Sequence, residues 1–171
     1  GTVTFGDSSA LSTTADFSAA GSYMLHLTAD DGQLSAVGMV TITVNAAPVA
    51  PSITAHPVGQ VVTEGQAATF RVTATGTAPL SYQWQRGGVD ISGATASSYT
   101  TPATVLADDG STYRVVVTNV AGSATSNAAL LTVNAAPVAP SITADPVGQV
   151  VTEGQAATFR VTATGTAPLS Y

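Results

Sequence analysis

The sequence predicts an all-β chain of tandem antiparallel sandwiches, one complete and two truncated, and three observations carry that prediction. In Thr69-Phe70-Arg71-Val72-Thr73-Ala74, Ser81-Tyr82-Gln83-Trp84-Gln85-Arg86 and Tyr113-Arg114-Val115-Val116-Val117-Thr118, one alternate set is apolar or aromatic and the other mostly polar or charged. That period of two marks a strand buried on one face. The stretch Asn134 to Tyr171 repeats Asn45 to Tyr82 at a shift of 89 residues, with His56 against Asp145 as the sole difference. A repeat of about 90 residues is the length of one sandwich domain. Finally, the chain is rich in Thr, Ser, Gly and Ala and poor in long side chains, a composition suited to short strands joined by turns.

Residues 1–44 read as strands at Thr2 to Phe5, Thr13 to Phe17, Ser22 to Ala29 and Val37 to Val44. Tyr23, Leu25 and Leu27 share one face, as do Val40, Ile42 and Val44, and Asp30-Asp31-Gly32 between them carries the Asp-Gly signal of a hairpin. The Gly-x-Tyr, apolar run, Asp-Asp-Gly and Val-Thr-Ile-Thr-Val pieces resemble the C-terminal half of a polycystic-kidney-disease-type or cadherin-like bacterial repeat. The resemblance implies a missing N-terminal half, and so a segment without the strands against which its sheets would close.

Residues 45–51, Asn-Ala-Ala-Pro-Val-Ala-Pro, are expected to form a linker, and the same seven letters recur at 134–140. Two prolines fix φ and bias the preceding residues toward extended conformations, so a semi-rigid spacer is expected rather than a flexible coil.

The complete unit spans 52–133. Its expected order is an opening strand at Ser52 to Ala55, a short piece at Gln60 to Val62, a turn at Thr63-Glu64-Gly65-Gln66, and the strand through Phe70 and Val72. Next come the Trp84 strand, Arg86-Gly87-Gly88, Val89 to Ile91, Ser98 to Thr101, the strand through Val115, and a last strand lined by Ala129, Leu131 and Val133. Phe70, Val72, Tyr82, Trp84, Tyr113, Val115 and Leu131 form the expected core. Glu-Gly-x-x-Ala-Thr-Phe, Tyr-x-Trp and Asp-x-Gly-x-x-Tyr-x-Val, in this order and spacing, resemble the bacterial immunoglobulin-like domains related to the intermediate set. The resemblance implies an immunoglobulin-like sandwich, with Val72 and Val115 where a disulfide would sit and one extra residue before Tyr113. It also implies a tyrosine corner, the Tyr113 hydroxyl bonding backbone near the preceding turn. Residues 141–171 then hold the N-terminal part of a second such repeat, expected to be frayed, disordered or paired with another chain when alone.

There is no lysine, and four arginines face ten acidic residues for a formal net charge of −6. Such a surface repels a phosphate backbone, which argues against nucleic acid as a partner. No apolar run approaches the ~20 residues that span a bilayer, so no membrane insertion is expected in this stretch. The chain opens on Gly1 inside a strand-like pattern, which reads as a piece of something longer. With no cysteine, the about 3–4 kcal/mol that a disulfide often supplies to a small sandwich is absent, and packing must hold the core.

Catalytic candidates are scarce. His26 lies between inward Leu25 and Leu27 and should point to solvent; His56 is an aspartate in the second copy; no Ser-His-Asp or Cys-His arrangement occurs. Asp30-Asp31-Gly32 and Asp108-Asp109-Gly110 read as turns, since calcium needs six to eight oxygens and neither run supplies a spaced series. A calcium site, if one forms, lies at a domain junction where Asp30, Asp31, Glu64 or Asp109 converge with linker carbonyls. No other cofactor is expected. With Tyr82, Trp84 and Tyr113 assigned to the core, Tyr99 is the remaining surface aromatic for a sugar platform, beside the loops at Gly87-Gly88 and Ser92 to Ser97.

The expected role is a non-catalytic structural, spacer or adhesion repeat of a large secreted or cell-surface bacterial protein. Its partners would be neighbouring repeats and, beyond them, a cell-surface protein or a polysaccharide. The alternative is a carbohydrate- or protein-binding accessory module attached to an extracellular hydrolase.

Overall fold

The computed structural model describes all of residues 1–171, as three segments with different degrees of closure. The first holds β1 (Val3–Phe5), β2 (Ala15–Phe17), β3 (Gly21–Asp30) and β4 (Ser35–Val44), paired as two separate antiparallel ladders, β1–β2 and β3–β4. Cross-strand pairs Tyr23 with Ile42 and Leu25 with Val40 put the apolar residues on one face. The β1–β2 ladder covers part of that face, with the Phe17 ring 4.8 Å from that of Tyr23, but leaves Leu27 70% and Val40 52% exposed.

The central segment forms the complete sandwich. It contains β5 (Ser52–Ala55), β6 (Gln60–Thr63), β7 (Thr69–Arg71), β8 (Thr73–Thr75), β9 (Ser81–Arg86), β10 (Val89–Asp90) and β11 (Ser98–Thr100). A 3₁₀ turn at Leu106–Asp108, β12 (Thr112–Asn119), β13 (Gly122–Thr125) and β14 (Ala129–Asn134) follow. One layer runs β10-β9-β12-β14-β6 with β13 also on β12; the other pairs β7 with β11 and β8 with β5. Gly87 and Gly88, both at positive φ, make the tight turn that pairs Arg86 with Val89, a conformation glycine adopts without a Cβ clash.

Three features depart from the sequence reading. The strand through Phe70 is split at Val72, whose N–H donates to Ser97 O at 3.0 Å where the chain changes partner from β11 to β5. The β6–β14 pairing is parallel, so the sandwich is not wholly antiparallel. The strand β13 was not expected; it pairs Val116–Asn119 of β12 across a two-residue turn.

Trp84, Phe70, Leu131, Val115 and Val117 are fully buried, with Tyr113 and Val72 close behind and Tyr82 half-buried at the margin. Phe70 stacks on Tyr113 with ring centroids 4.6 Å apart and lies 6.3 Å from Trp84. Trp84 Nε1–H donates to Ala96 O at 2.9 Å, so the indole carries no unmet donor into the core. Thr101 and Ser126 do the same for polar groups between strands: Thr101 Oγ1 accepts from Ala68 N–H at 2.9 Å and Ser126 Oγ from Val115 N–H at 3.0 Å. No buried side-chain polar atom is left unpaired, which avoids a desolvation penalty of about 1–3 kcal/mol per group.

The third segment keeps one ladder, β15 (Ser141–Ala144) with β16 (Thr162–Thr164). Its register, Ser141 to Thr164, Ile142 to Ala163 and Ala144 to Thr162, repeats the β5–β8 register and its irregularity residue for residue. The remainder of the copy is without strands, and Phe159 is 61% exposed. The segment thus keeps its opening ladder and leaves its remaining apolar residues uncovered.

Candidate functional site

The acidic residues named for calcium are not brought together. Asp30 Oδ1 accepts from Gly32 N–H at 2.6 Å, and Asp31 Oδ1 from Gln33 and Leu34 N–H at 2.9 and 2.8 Å, as carboxylates closing their own turn. These bonds hold the Asp31 carboxyl below its ordinary pKa. Glu64 Oε1 accepts from Leu106 N–H at 3.4 Å, and Asp109 Oδ1 accepts from Val133 N–H at 2.8 Å, tying the turn before β12 to β14. No three His, Cys, Asp or Glu side chains are grouped as a metal would need.

The aromatic candidate is likewise relocated. Tyr99 is half-buried, its ring 5.9 Å from Tyr113 and 6.3 Å from Trp84, so it extends the core instead of standing out as a platform. Its exposed part lines a shallow depression of about 280 Å³ together with the loop from Ser92 to Ala96, and Gly87 and Gly88 do not contribute to it. The tyrosine corner does not form: the side-chain tie of this turn is Asp109 Oδ1 accepting from Val133 N–H, and the Tyr113 hydroxyl bonds no backbone group. Gly110 N–H donates to Leu131 O and Leu131 N–H to Ser111 O, so the turn closes on β14, and burial pushes the Tyr113 hydroxyl above its ordinary pKa.

Of the histidines, His26 is exposed on β3 opposite Met39, and His56 Nδ1 accepts from Asn127 N–H at 3.1 Å. Neither faces a serine hydroxyl. One ion pair stands near the core, Arg86 Nη2 with Asp108 Oδ1 at 2.7 Å, with Ser111 Oγ accepting from the same nitrogen at 2.8 Å. The Val105 N–H, and then Arg86, hold the Asp108 carboxyl below its ordinary pKa. These groups brace the turn into β12.

The arrangement that sequence reasoning missed lies where the chain enters the sandwich. Val49 N–H donates to Thr77 Oγ1 at 2.8 Å, and Thr77 N–H returns a bond to Val49 O at 3.0 Å. The side chain of Asn119, at the end of β12, donates through Nδ2 to Val49 O at 2.7 Å and to Thr77 O at 2.9 Å. Its Oδ1 accepts from Ala121 N–H at 2.9 Å. Pro51 is buried, and a Cβ on Gly76, at φ +144°, would lie 3.1 Å from Pro51 Cα, so a larger residue there requires the linker backbone to shift by a few tenths of an ångström. The recurrence of Gly-Thr-Ala-Pro at Gly76 and Gly165 was the available signal for half of this site. Asn119 had none.

Residues 50–119 match the family model of the immunoglobulin domain. The central unit is an immunoglobulin-like β-sandwich. The titin domains Z1Z2, solved in complex with telethonin, share 30% identity at a TM-score of 0.51 over 70% of this chain and 66% of theirs. Endoglucanase C of Cellulomonas fimi is 40% identical over 122 residues, which is 69% of this chain and 11% of that enzyme. The decoration protein of Escherichia phage T5 is 46% identical over 59 residues, 34% of this chain and 35% of that protein. The chain thus corresponds to about a tenth of the one relative and about a third of the other.

Proposed function

We propose that the chain is a non-catalytic spacer segment of a large secreted or cell-surface bacterial protein, holding what lies on either side of it at a set distance and orientation. The observation that carries this reading is the valine–threonine pair that ties the linker to the following strands at both copies: Val49 on Thr77, and Val138 on Thr166 with N–H to Oγ1 at 2.7 Å. A linker bonded to its sandwich transmits orientation; a flexible one does not. The carboxylates and hydroxyls around the core are engaged in turns and strand ties, which suits a mechanical role. The endoglucanase and phage relatives support an extracellular setting, and no helix is long and apolar enough to cross a membrane.

Small-angle scattering on two complete repeats in tandem, with and without calcium, tests this reading. An extended particle whose dimensions and melting curve ignore calcium is the expected result. A compact or flexible particle, or one stiffened by calcium, overturns it.

A second reading, an accessory module attached to an extracellular hydrolase, is favoured by the similarity to a region of Endoglucanase C. It predicts retention on insoluble polysaccharide. Tyr99 is the one aromatic residue lining the depression at Ser92 to Thr100, and a single ring offers little surface for retention by stacking.

A further inference from the structure

We infer that the working hinge between successive sandwiches is not the seven-residue linker but the three residues Ala135-Ala136-Pro137, and that Asn119 is the lock on the downstream side of such a hinge. The inference rests on the spacer reading and specifies how its stiffness arises.

Each end of the linker is tied to the segment beside it. Upstream, Asn134 is the last residue of β14, paired with Thr63 of β6, and its carbonyl accepts from Glu64 N–H at 2.8 Å. Downstream, Val138 is bonded to Thr166 through both its N–H and its carbonyl, and Pro140 lies against Gly165. Between these anchors only Ala135, Ala136 and Pro137 make no hydrogen bond. At roughly 3.3–3.6 Å per residue, the span from Asn134 to Val138 reaches on the order of 14 Å when fully extended. Pro137 fixes its own φ and holds Ala136 extended, which removes much of the remaining freedom.

The two linkers of this chain are seated unequally, and the difference identifies the lock. Val49 O accepts two bonds, from Thr77 N–H and from Asn119 Nδ2, whereas Val138 O accepts only that of Thr166 N–H. Thr77 comes from the repeated half of the sandwich. Asn119 comes from the turn between β12 and β13, so the full clamp exists only where a sandwich is complete. It couples closure of the sandwich to the direction of the chain that enters it.

The test is backbone NMR on the whole 171-residue chain, reading amide hydrogen exchange and order parameters at Val49 and Ala50. Asn119→Ala removes the lock, and Thr77→Val removes the Oγ1 acceptor without disturbing the β12–β13 turn. Each is expected to speed Val49 exchange about tenfold, the order expected for one lost hydrogen bond, and to lower the order parameters of Val49 and Ala50. Trp84 exchange should change less. Unprotected Val49 in the unmodified chain, or Val49 protection unchanged in Asn119→Ala, overturns the inference. The outcome is separable from the spacer reading: a flexible particle in scattering with Val49 still locked removes the spacer role alone, and an extended particle with Val49 unprotected removes the lock alone.

Discussion

Asn45 to Tyr82 and Asn134 to Tyr171 are the same sequence but for His56 and Asp145, yet only the first is built into a sandwich. What the two share is local. Both pair the opening strand with the stretch after the buried valine in one register, both seat a linker valine on a threonine, and both close a turn between Thr and Gln, Gln66 N–H on Thr63 O and Gln155 N–H on Thr152 O. What differs depends on strands that only the first copy has. Without β14 there is no counterpart of β6, and without β11 none of β7, so Phe70 is fully buried while Phe159 stands 61% exposed. The alternating pattern states which face a strand would bury; whether it buries anything is decided by the residues 83–133 that cover it.

The sharpest way to break this comparison is to make the same substitution in both copies. Phe70→Ala should cost about 3–5 kcal/mol by emptying the centre of the core, whereas Phe159→Ala should change stability by no more than about 0.5 kcal/mol, as exposed positions do. Urea denaturation followed by Trp84 fluorescence reads both; equal costs would contradict the contrast. Next in size, Thr101→Val leaves Ala68 N–H buried without its acceptor and should cost about 1–3 kcal/mol, with no effect on exchange in the β15–β16 ladder.

Legibility in the sequence followed the same division. Apart from β13, the strands of the complete unit and the aromatic centre at Phe70, Trp84 and Tyr113 were readable because period-two alternation is a local signal. The split at Val72, the parallel β6–β14 pair and the inward turn of Tyr99 were not, since each is set by a partner strand distant in the chain. The turn before β12 is tied instead to β14, through Gly110, Leu131 and Asp109, partners distant in the chain that the local motif does not name. At the linker, Thr77 carried a repeat signal, whereas Asn119 is one polar residue near a turn until the fold places it over Val49.

Smaller effects sharpen the contrast. The Asp108 carboxyl has its pKa held below the ordinary 3.8 by the Val105 N–H and then Arg86. Its folded pKa is lower than its unfolded one, so its contribution is present above that ordinary value and is lost as pH falls through the folded pKa. Because Arg86 is 45% exposed, solvent screens the pair, and Asp108→Asn should cost less than about 1 kcal/mol at neutral pH. An acid titration of the melting temperature should show a shallower fall in the variant. Smallest of all, His56→Asp, which brings the first copy to the sequence of the second, retains an acceptor for Asn127 N–H and should shift stability by no more than about 0.5 kcal/mol.

The most direct test gives the second copy what the first has. A chain extended after Tyr171 by a duplicate of residues 83–133 should fold a second sandwich, with the Phe159 amide becoming as protected from hydrogen exchange as that of Phe70 and the β15–β16 ladder retaining its register. A Phe159 amide that stays unprotected beside the added strands would show that the contrast between the two copies is not set by their partners.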